Sequence, residues 1–107
     1  MQSWTVQFHP ASEPELRALP ADMQARLLRV ADMLETFGPQ KVGMPHVRPL
    51  VDKLWEIRVQ GRDGIARAVY VAMHGRTLTV LHVFVKKTQT TPRAAIDTAR
   101  KRLEAMR

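Results

Sequence analysis

Cationic and protic side chains recur within or at the ends of three β-type runs in the second half of the chain. They are Arg58, Arg67 and His82, followed by the pair Lys86 and Lys87. Neighbouring antiparallel strands lie about 5 Å apart, so side chains from three such strands can converge on one phosphate group. Arginine suits this task because its planar guanidinium makes two parallel hydrogen bonds to phosphate oxygens. The arrangement therefore predicts a phosphate-binding site.

The chemistry that such a site supports is cleavage of RNA by its own 2′-hydroxyl group. A base must accept the 2′ proton, cations must hold the charged phosphorus, and an acid must protonate the departing 5′ oxygen. Arg58 and Arg67 are the candidate cations. His82 is a candidate for proton transfer, because a histidine side chain changes its charge near neutral pH.

Each of these residues also has a purely structural interpretation. His82 is equally consistent with a half-buried histidine in an apolar strand. Arg67 lies within the apolar segment Ile65–Val69, where a guanidinium needs either an ion-pair partner or an open groove. Glu56 would be that partner. Arg58, two residues beyond Glu56 and on the same strand face, could be an ordinary exposed arginine.

Several familiar kinds of site are excluded by the sequence. The chain has no cysteine, which rules out disulfides and thiolate chemistry. It also lacks the phosphate-binding and dinucleotide-binding glycine motifs, the zinc-protease helix motif and the serine nucleophile elbow. The four histidines have no metal-ligand spacing. We therefore expect neither a metal nor a cofactor.

The net charge of +7 is carried by the second half of the chain. Residues 1–52 hold five basic and six acidic side chains, whereas residues 53–107 hold twelve basic and four acidic ones. Such a one-sided positive surface attracts polyanions, most often nucleic acid. A solubilising surface and docking onto an acidic protein are the alternatives. The residues expected to bind RNA phosphates are Lys53, Lys86, Lys87 and Arg93.

The hydrophobic pattern predicts a single α+β domain over residues 1–107. A strand at Trp4–Phe8 precedes a short helix that begins at Ser12, a helix over Ala21–Phe37 and a loop over Pro39–Val51. Three strands joined by glycine turns follow at Lys53–Val59, Ile65–Met73 and Thr77–Val85, and Thr91-Pro92 opens a last helix. We expect a small antiparallel sheet, made of the N-terminal strand and a three-stranded meander. Two N-terminal helices and one C-terminal helix complete the fold, and one sheet face stays open for a site.

Two aromatic residues of the meander, Trp55 and Tyr70, are expected in the core. The longest apolar run is too short to cross a membrane, and the first residues lack a signal-peptide pattern. We therefore expect a cytoplasmic protein.

Three segments together resemble the phage Gp49-like, HigB-type toxins of the RelE/ParE superfamily of toxin–antitoxin modules. They are Leu54–Arg58, Arg67–Tyr70 and Leu81–Lys87, with Thr91-Pro92 opening the last helix. The resemblance covers nearly the whole chain. It implies a RelE-like fold, metal-independent cleavage of messenger RNA on the ribosome, and inhibition by an antitoxin, often of the helix-turn-helix type.

The resemblance also implies roles for individual residues. Arg58 stands where RelE-type toxins often have a catalytic lysine, Arg67 where a phosphate-holding arginine lies, and Lys87 where a basic residue ends the strand. Glu56 departs from RelE, which tends to be basic there, so Glu56 or His82 would be the base. The C-terminal tyrosine common in these toxins is absent here.

The sequence therefore predicts the toxin of a type II toxin–antitoxin system that acts as an endoribonuclease on translated messenger RNA. Two rivals stay open: a ParE-like gyrase poison on the same scaffold, and a basic nucleic-acid-binding module without catalytic activity.

Overall fold

The computed structural model describes residues 4–106. Its strands and helices follow the order β1 (Thr5–Phe8), α1 (Ser12–Arg17), α2 (Ala21–Phe37), β2 (Val47–Pro49), β3 (Trp55–Gly61), β4 (Gly64–Met73), β5 (Thr77–Lys86) and α3 (Arg93–Ala105). The predicted α+β class is confirmed. Helix α2 has the predicted bounds, because Pro20 precedes its first turn and Gly38, with a φ of 84°, ends it.

The five strands form one sheet in the order β1-β5-β4-β3-β2. Strands β3, β4 and β5 make the predicted antiparallel meander. Strand β1 instead runs parallel to β5, with Thr5 opposite Thr77 and Phe8 opposite Val80. The sheet is thus mixed rather than purely antiparallel, because an alternating pattern specifies a strand without specifying the direction of its neighbour.

Strand β2 lies within the segment that was expected to be a loop. Its three residues pair with β3, with Val47 opposite Ile57 and Pro49 opposite Trp55. A three-residue strand is too short to show alternation, and a proline fits only because β2 is at the sheet edge. Trp55, expected in the core, is 39% exposed at this corner, whereas Tyr70 is buried as predicted.

Both faces of the sheet are covered. Helices α1 and α2 pack on one face, where Met23, Leu27 and Leu34 join the inward side chains of β3, β4 and β5. Phe37, the apolar residue that ends α2, is exposed. Helix α3 packs on the other face through Ala99. The expectation of an open face is therefore wrong. The α3 face of the meander also carries apolar side chains, Val69, Val71 and Leu81, and α3 buries them.

A β-bulge in β5 decides which side chains face α3. Val69 pairs with His82 and Tyr70 with Val80, so Leu81 is an extra residue in β5. After the bulge the alternation is reversed, which places His82 and Phe84 on the α3 face. Without the bulge, His82 would lie among the side chains under α2.

Candidate functional site

Glu56, Arg58 and Arg67 lie together on the α3 face of the sheet. Glu56 and Arg58 are two residues apart on β3, and Arg67 on β4 is the direct cross-strand partner of Arg58. The Glu56 carboxylate is fully buried, and its Oε1 accepts a hydrogen bond from Nε of Arg58 at 2.6 Å. The structure therefore brings Arg58 and Arg67 of the predicted phosphate-binding set together, with Glu56 beside them.

Thr91 connects the carboxylate to the second arginine. Its hydroxyl donates a short hydrogen bond to Oε2 of Glu56 and accepts a hydrogen bond from Nη1 of Arg67 at 3.4 Å. The sequence had predicted Thr91 as the N-cap of α3. Pro92 holds that position instead, and no side chain caps the helix. The threonine hydroxyl is engaged in the site rather than at the helix start.

Arg67 is a buried cation that is short of partners. The side chain is 0% exposed, and its Nε and Nη2 have no hydrogen-bond acceptor among the residues that the structure describes. None of the ion pairs formed among residues 4–106 includes Arg67, so the predicted pair with Glu56 does not form. Burial lowers the pKa of Arg67, and the charges of Arg58 and Arg48 lower it further, while Glu56 opposes them. A group in this state favours the approach of an anion.

The segment between β5 and α3 closes the site. Arg58 donates from Nη1 to Oε1 of Gln89 at 3.2 Å and from Nη2 to the carbonyl oxygen of the same residue. Two acceptor oxygens of Gln89 thus lie along the guanidinium edge where two phosphate oxygens would bind. Sequence analysis missed Gln89, because it lies in an irregular connection without any periodic pattern.

A second polar cluster joins α1, β5 and α3. Both carboxylate oxygens of Glu15 lie 3.1 Å from Nδ1 of His82, and Arg102 binds them through two hydrogen bonds of 2.8 and 3.0 Å. The backbone N–H of Val83 also donates to this carboxylate. Burial raises the pKa of Glu15, but Arg102, Val83 and His82 together outweigh it and lower the pKa below its ordinary value. Sequence analysis missed Glu15 and Arg102.

His82 belongs to this second cluster and not to the first. Its ring stacks on Phe84 with a centroid distance of 4.9 Å, and the ring centroid of Phe84 lies 6.0 Å from Cζ of Arg67. The Phe84 ring therefore separates the histidine from the buried arginine. The predicted role of His82 in proton transfer stays a prediction.

The other candidate residues lie at the surface. Lys86 ends β5 opposite Ile65, and Lys87 follows it; both are exposed. Arg93, also exposed, begins α3 two residues after Thr91. Lys53 lies in the turn before β3 and lines a different surface pocket, together with Asp52 and Arg100, so the structure does not bring it to the site.

Two further properties concern the described part of the chain. Within residues 4–106, no three histidine, aspartate or glutamate side chains are grouped so that they could hold a metal ion. No helix among these residues has the length and apolar character needed to cross a membrane.

Comparison with known proteins gives a family and a fold. The family model described as "Phage derived protein Gp49-like (DUF891)" matches residues 14–104. No curated protein matches the chain in sequence.

Three solved structures are similar in fold. A chain of the toxin–antitoxin complex RelBE2 from Mycobacterium tuberculosis is 18% identical with a TM-score of 0.56, over 82% of this chain and 97% of that chain. A chain of the RelE–RelB complex from Pyrococcus horikoshii is 21% identical with a TM-score of 0.59, over 82% and 99%. A mutant of the Escherichia coli toxin RelE in the free state is 17% identical with a TM-score of 0.61, over 96% and 99%. The predicted RelE-like fold is thereby confirmed.

Proposed function

The chain belongs to the family of phage-derived Gp49-like proteins, and from this membership we propose that it is the toxin of a type II toxin–antitoxin pair. Its proposed activity is cleavage of messenger RNA on the ribosome, in the cytoplasm and without a metal ion. Two solved structures of similar fold are toxin–antitoxin complexes, which supports an antitoxin as partner. The proposed antitoxin is a helix-turn-helix protein.

The observation that carries the proposal is the state of Arg67. A fully buried guanidinium with two unpartnered nitrogens lies beside a second arginine, so the site holds two positive charges and only the Glu56 carboxylate between them. A phosphate diester offers one negative charge and two oxygen acceptors, which would give each of the two unpartnered nitrogens a hydrogen-bond acceptor. In a water-excluded site such contacts stabilise the extra charge of the transition state strongly.

The proposed reaction needs little more than this site, because RNA supplies its own nucleophile. The 2′ oxygen attacks the neighbouring phosphorus and its proton passes to Glu56, while Arg58 and Arg67 hold the phosphorus oxygens. The bond to the 5′ oxygen then breaks, leaving a 2′,3′-cyclic phosphate, and the departing oxygen takes a proton from solvent. A carboxylate has about four acceptor positions. Arg58 and Thr91 use two of them in Glu56, so two are left and one of these can accept the 2′ proton.

Access to the site requires a movement. Arg67 is closed from solvent, and the connection of residues 87–92 contacts it through Thr91 and the neighbouring Arg58 through Gln89. In the proposal this connection moves aside when RNA enters, and phosphate oxygens replace Gln89 on Arg58. Lys86 and Lys87 then extend the positive surface along the bound strand. His82 has no step in this scheme.

The test uses purified protein with translating ribosomes, and primer extension reads the transcript. We expect cuts within codons for the unaltered protein, and none for Arg67→Met. Arg62→Met is the matched control, because Arg62 is exposed in the turn between β3 and β4, and it should cut normally. Intact transcripts with the unaltered protein would reject the proposal. Accumulation of cleaved DNA–gyrase complexes would favour the gyrase-poison alternative.

A further inference from the structure

A groove with a volume of about 840 Å³ opens at the sheet edge, between α2 and the strands β2 and β3. Its polar wall includes Arg26 and Arg29 from α2, Arg48 from β2 and Arg58 from β3. Between these arginines the surface is apolar and includes Met33 and Met44. No aspartate or glutamate of residues 4–106 lines the groove.

The charge distribution along the sequence does not indicate this cluster of arginines. Residues 1–52 have more acidic than basic side chains, yet three of their five basic residues line this one groove. They come together because α2 packs across the sheet from β1 to β3, so that Arg26 reaches the carbonyl oxygen of Gln60 on β3, the strand next to β2. The basic surface of the protein is therefore not confined to its second half.

Two of the groove arginines have no partner in the described part of the chain. Arg26 donates a hydrogen bond to the carbonyl oxygen of Gln60. Arg29 and Arg48, by contrast, form no side-chain hydrogen bond or ion pair with any of residues 4–106. Arginines left unengaged on facing walls are available to bind an anionic ligand.

The groove is continuous with the site around Glu56. Arg58 belongs to both, since its Nε bonds Glu56 while its side chain lines the groove. Gln89, the residue that covers the guanidinium of Arg58, also lines the groove. Arg48 is close enough to Arg67 for its charge to lower the pKa of that group. A polymer with a phosphate at Arg67 would therefore meet the groove directly.

We infer that this groove binds the continuation of the RNA strand whose scissile phosphate enters at Arg67. Arg29 and Arg48 hold its backbone phosphates, and the methionines contact a ribose or a base between them. The inference rests on the proposed function, since the RNA strand that enters the groove is the one whose scissile phosphate is held by Arg58 and Arg67. A positive groove that follows the backbone with apolar contacts to the bases is a general way to bind single-stranded nucleic acid. Methionine suits such contacts, because its flexible side chain adapts to different bases.

The test measures the binding of a fluorescent twelve-nucleotide single-stranded RNA over a range of salt concentrations. Each phosphate contact on a single strand contributes about 0.7 to the slope of log affinity against log salt. The double variant Arg29→Ala/Arg48→Ala should therefore reduce the slope by about 1.4 and weaken binding at low salt. The control is Arg17→Ala/Lys41→Ala, which removes the same charge from exposed residues outside the groove and should keep the slope.

The outcomes separate this inference from the proposed function. If the unaltered protein cuts messenger RNA on ribosomes while both double variants keep its salt slope, the groove inference is overturned and the proposed function stands. If the slope falls as expected but no transcript is cut, the proposed function fails and the groove stands as an RNA site. A decaglutamate peptide, measured in the same binding assay, represents the alternative that the groove binds an acidic protein. Loss of its binding in Arg29→Ala/Arg48→Ala, with RNA binding unchanged, would also overturn the inference.

Discussion

Replacing Arg67 by methionine should stabilise the protein while it abolishes the proposed activity. The guanidinium is fully buried, two of its nitrogens have no partner, and its contact with Thr91 is a long 3.4 Å. Methionine keeps a long unbranched stem and places no charge in the interior. Glu56 keeps its hydrogen bonds to Arg58 and Thr91 in the variant, so no new buried charge is left alone.

The magnitude follows from the groups removed. Each unpartnered buried donor costs about 1–3 kcal/mol. Replacement of a buried ion pair by apolar side chains of similar volume is often neutral or stabilising by about 1–4 kcal/mol, and Arg67 belongs to none of the ion pairs of residues 4–106. Loss of the weak Thr91 contact and of the attraction to Glu56 acts in the opposite direction. We therefore expect the free energy of unfolding to rise by about 1–3 kcal/mol, or about 4–8 °C in Tm for each kcal/mol.

The assay is urea unfolding at pH 7, followed by tryptophan fluorescence and circular dichroism. The exposed control Arg62→Met should stay within about 0.5 kcal/mol of the unaltered protein. RNA should raise the unfolding midpoint of the unaltered protein and not that of Arg67→Met, because only the former binds it in the site. A loss of more than about 1 kcal/mol in Arg67→Met would refute the reasoning. The guanidinium would then stabilise the fold by itself, and its burial would not be evidence for a bound anion.

Two further predictions concern the second cluster and the closing segment. Glu15→Gln should lower the free energy of unfolding by about 1–3 kcal/mol at pH 7, because it removes the charge that Arg102 and His82 bind. The pKa of Glu15 is lowered from its ordinary 4.5, so its contribution is present above that value and is lost as the pH falls through the lower, folded-state pKa. The difference between the two proteins should therefore narrow as the pH falls below 4.5 in urea titrations, and a difference that stays constant throughout the acid titration would contradict this origin. Gln89→Ala removes one acceptor from Arg58 and should tighten the binding of a short RNA by about two- to tenfold, measured by fluorescence anisotropy. The exposed Gln40→Ala should leave binding unchanged, and weaker binding in Gln89→Ala would argue against displacement of Gln89 by phosphate.

The parts of the fold that could be predicted are those with strong local signals. Helix α2 has an apolar residue every three or four positions between Pro20 and Gly38, so its bounds were evident. The meander follows from runs of β-branched residues separated by glycine turns. The alternation along β3 also placed Glu56 and Arg58 on one face correctly. Their meeting with Arg67 then required only that the turn at Gly61–Gly64 be tight, as it is.

The parts that could not be predicted depend on contacts distant in sequence. The parallel pairing of β1 joins residues 72 positions apart, as Thr5 and Thr77 show. The bulge at Leu81 leaves no mark in the apolar pattern, yet it decides which face His82 occupies. The position of α3 was missed because its narrow apolar stripe did not indicate which face of the sheet it covers.

The same reason explains which site residues were missed. Thr91 and Gln89 lie in the connection between β5 and α3, 35 and 31 residues from the β3 side chains that they bind. Glu15 and Arg102 come from helices at opposite ends of the chain, 87 residues apart. Local spacing can place residues on a strand face, but it cannot show which loop or helix will cover that face.

The resting site and the proposed reaction are linked by the buried carboxylate of Glu56. Arg58 and Arg67 carry two positive charges and Glu56 carries one negative charge, so the site has a net charge of +1. Neutral oxygens of Gln89 and Thr91 accept hydrogen bonds from the two arginines but do not neutralise this charge. An entering phosphate would bring the missing negative charge and compete with Glu56 for Arg58. A carboxylate that shares its arginine with a phosphate holds that arginine less tightly, and so becomes a better acceptor for a proton. On this reasoning substrate binding itself would prepare the base, and Glu56→Gln should bind RNA at least as tightly as the unaltered protein while cutting none of it.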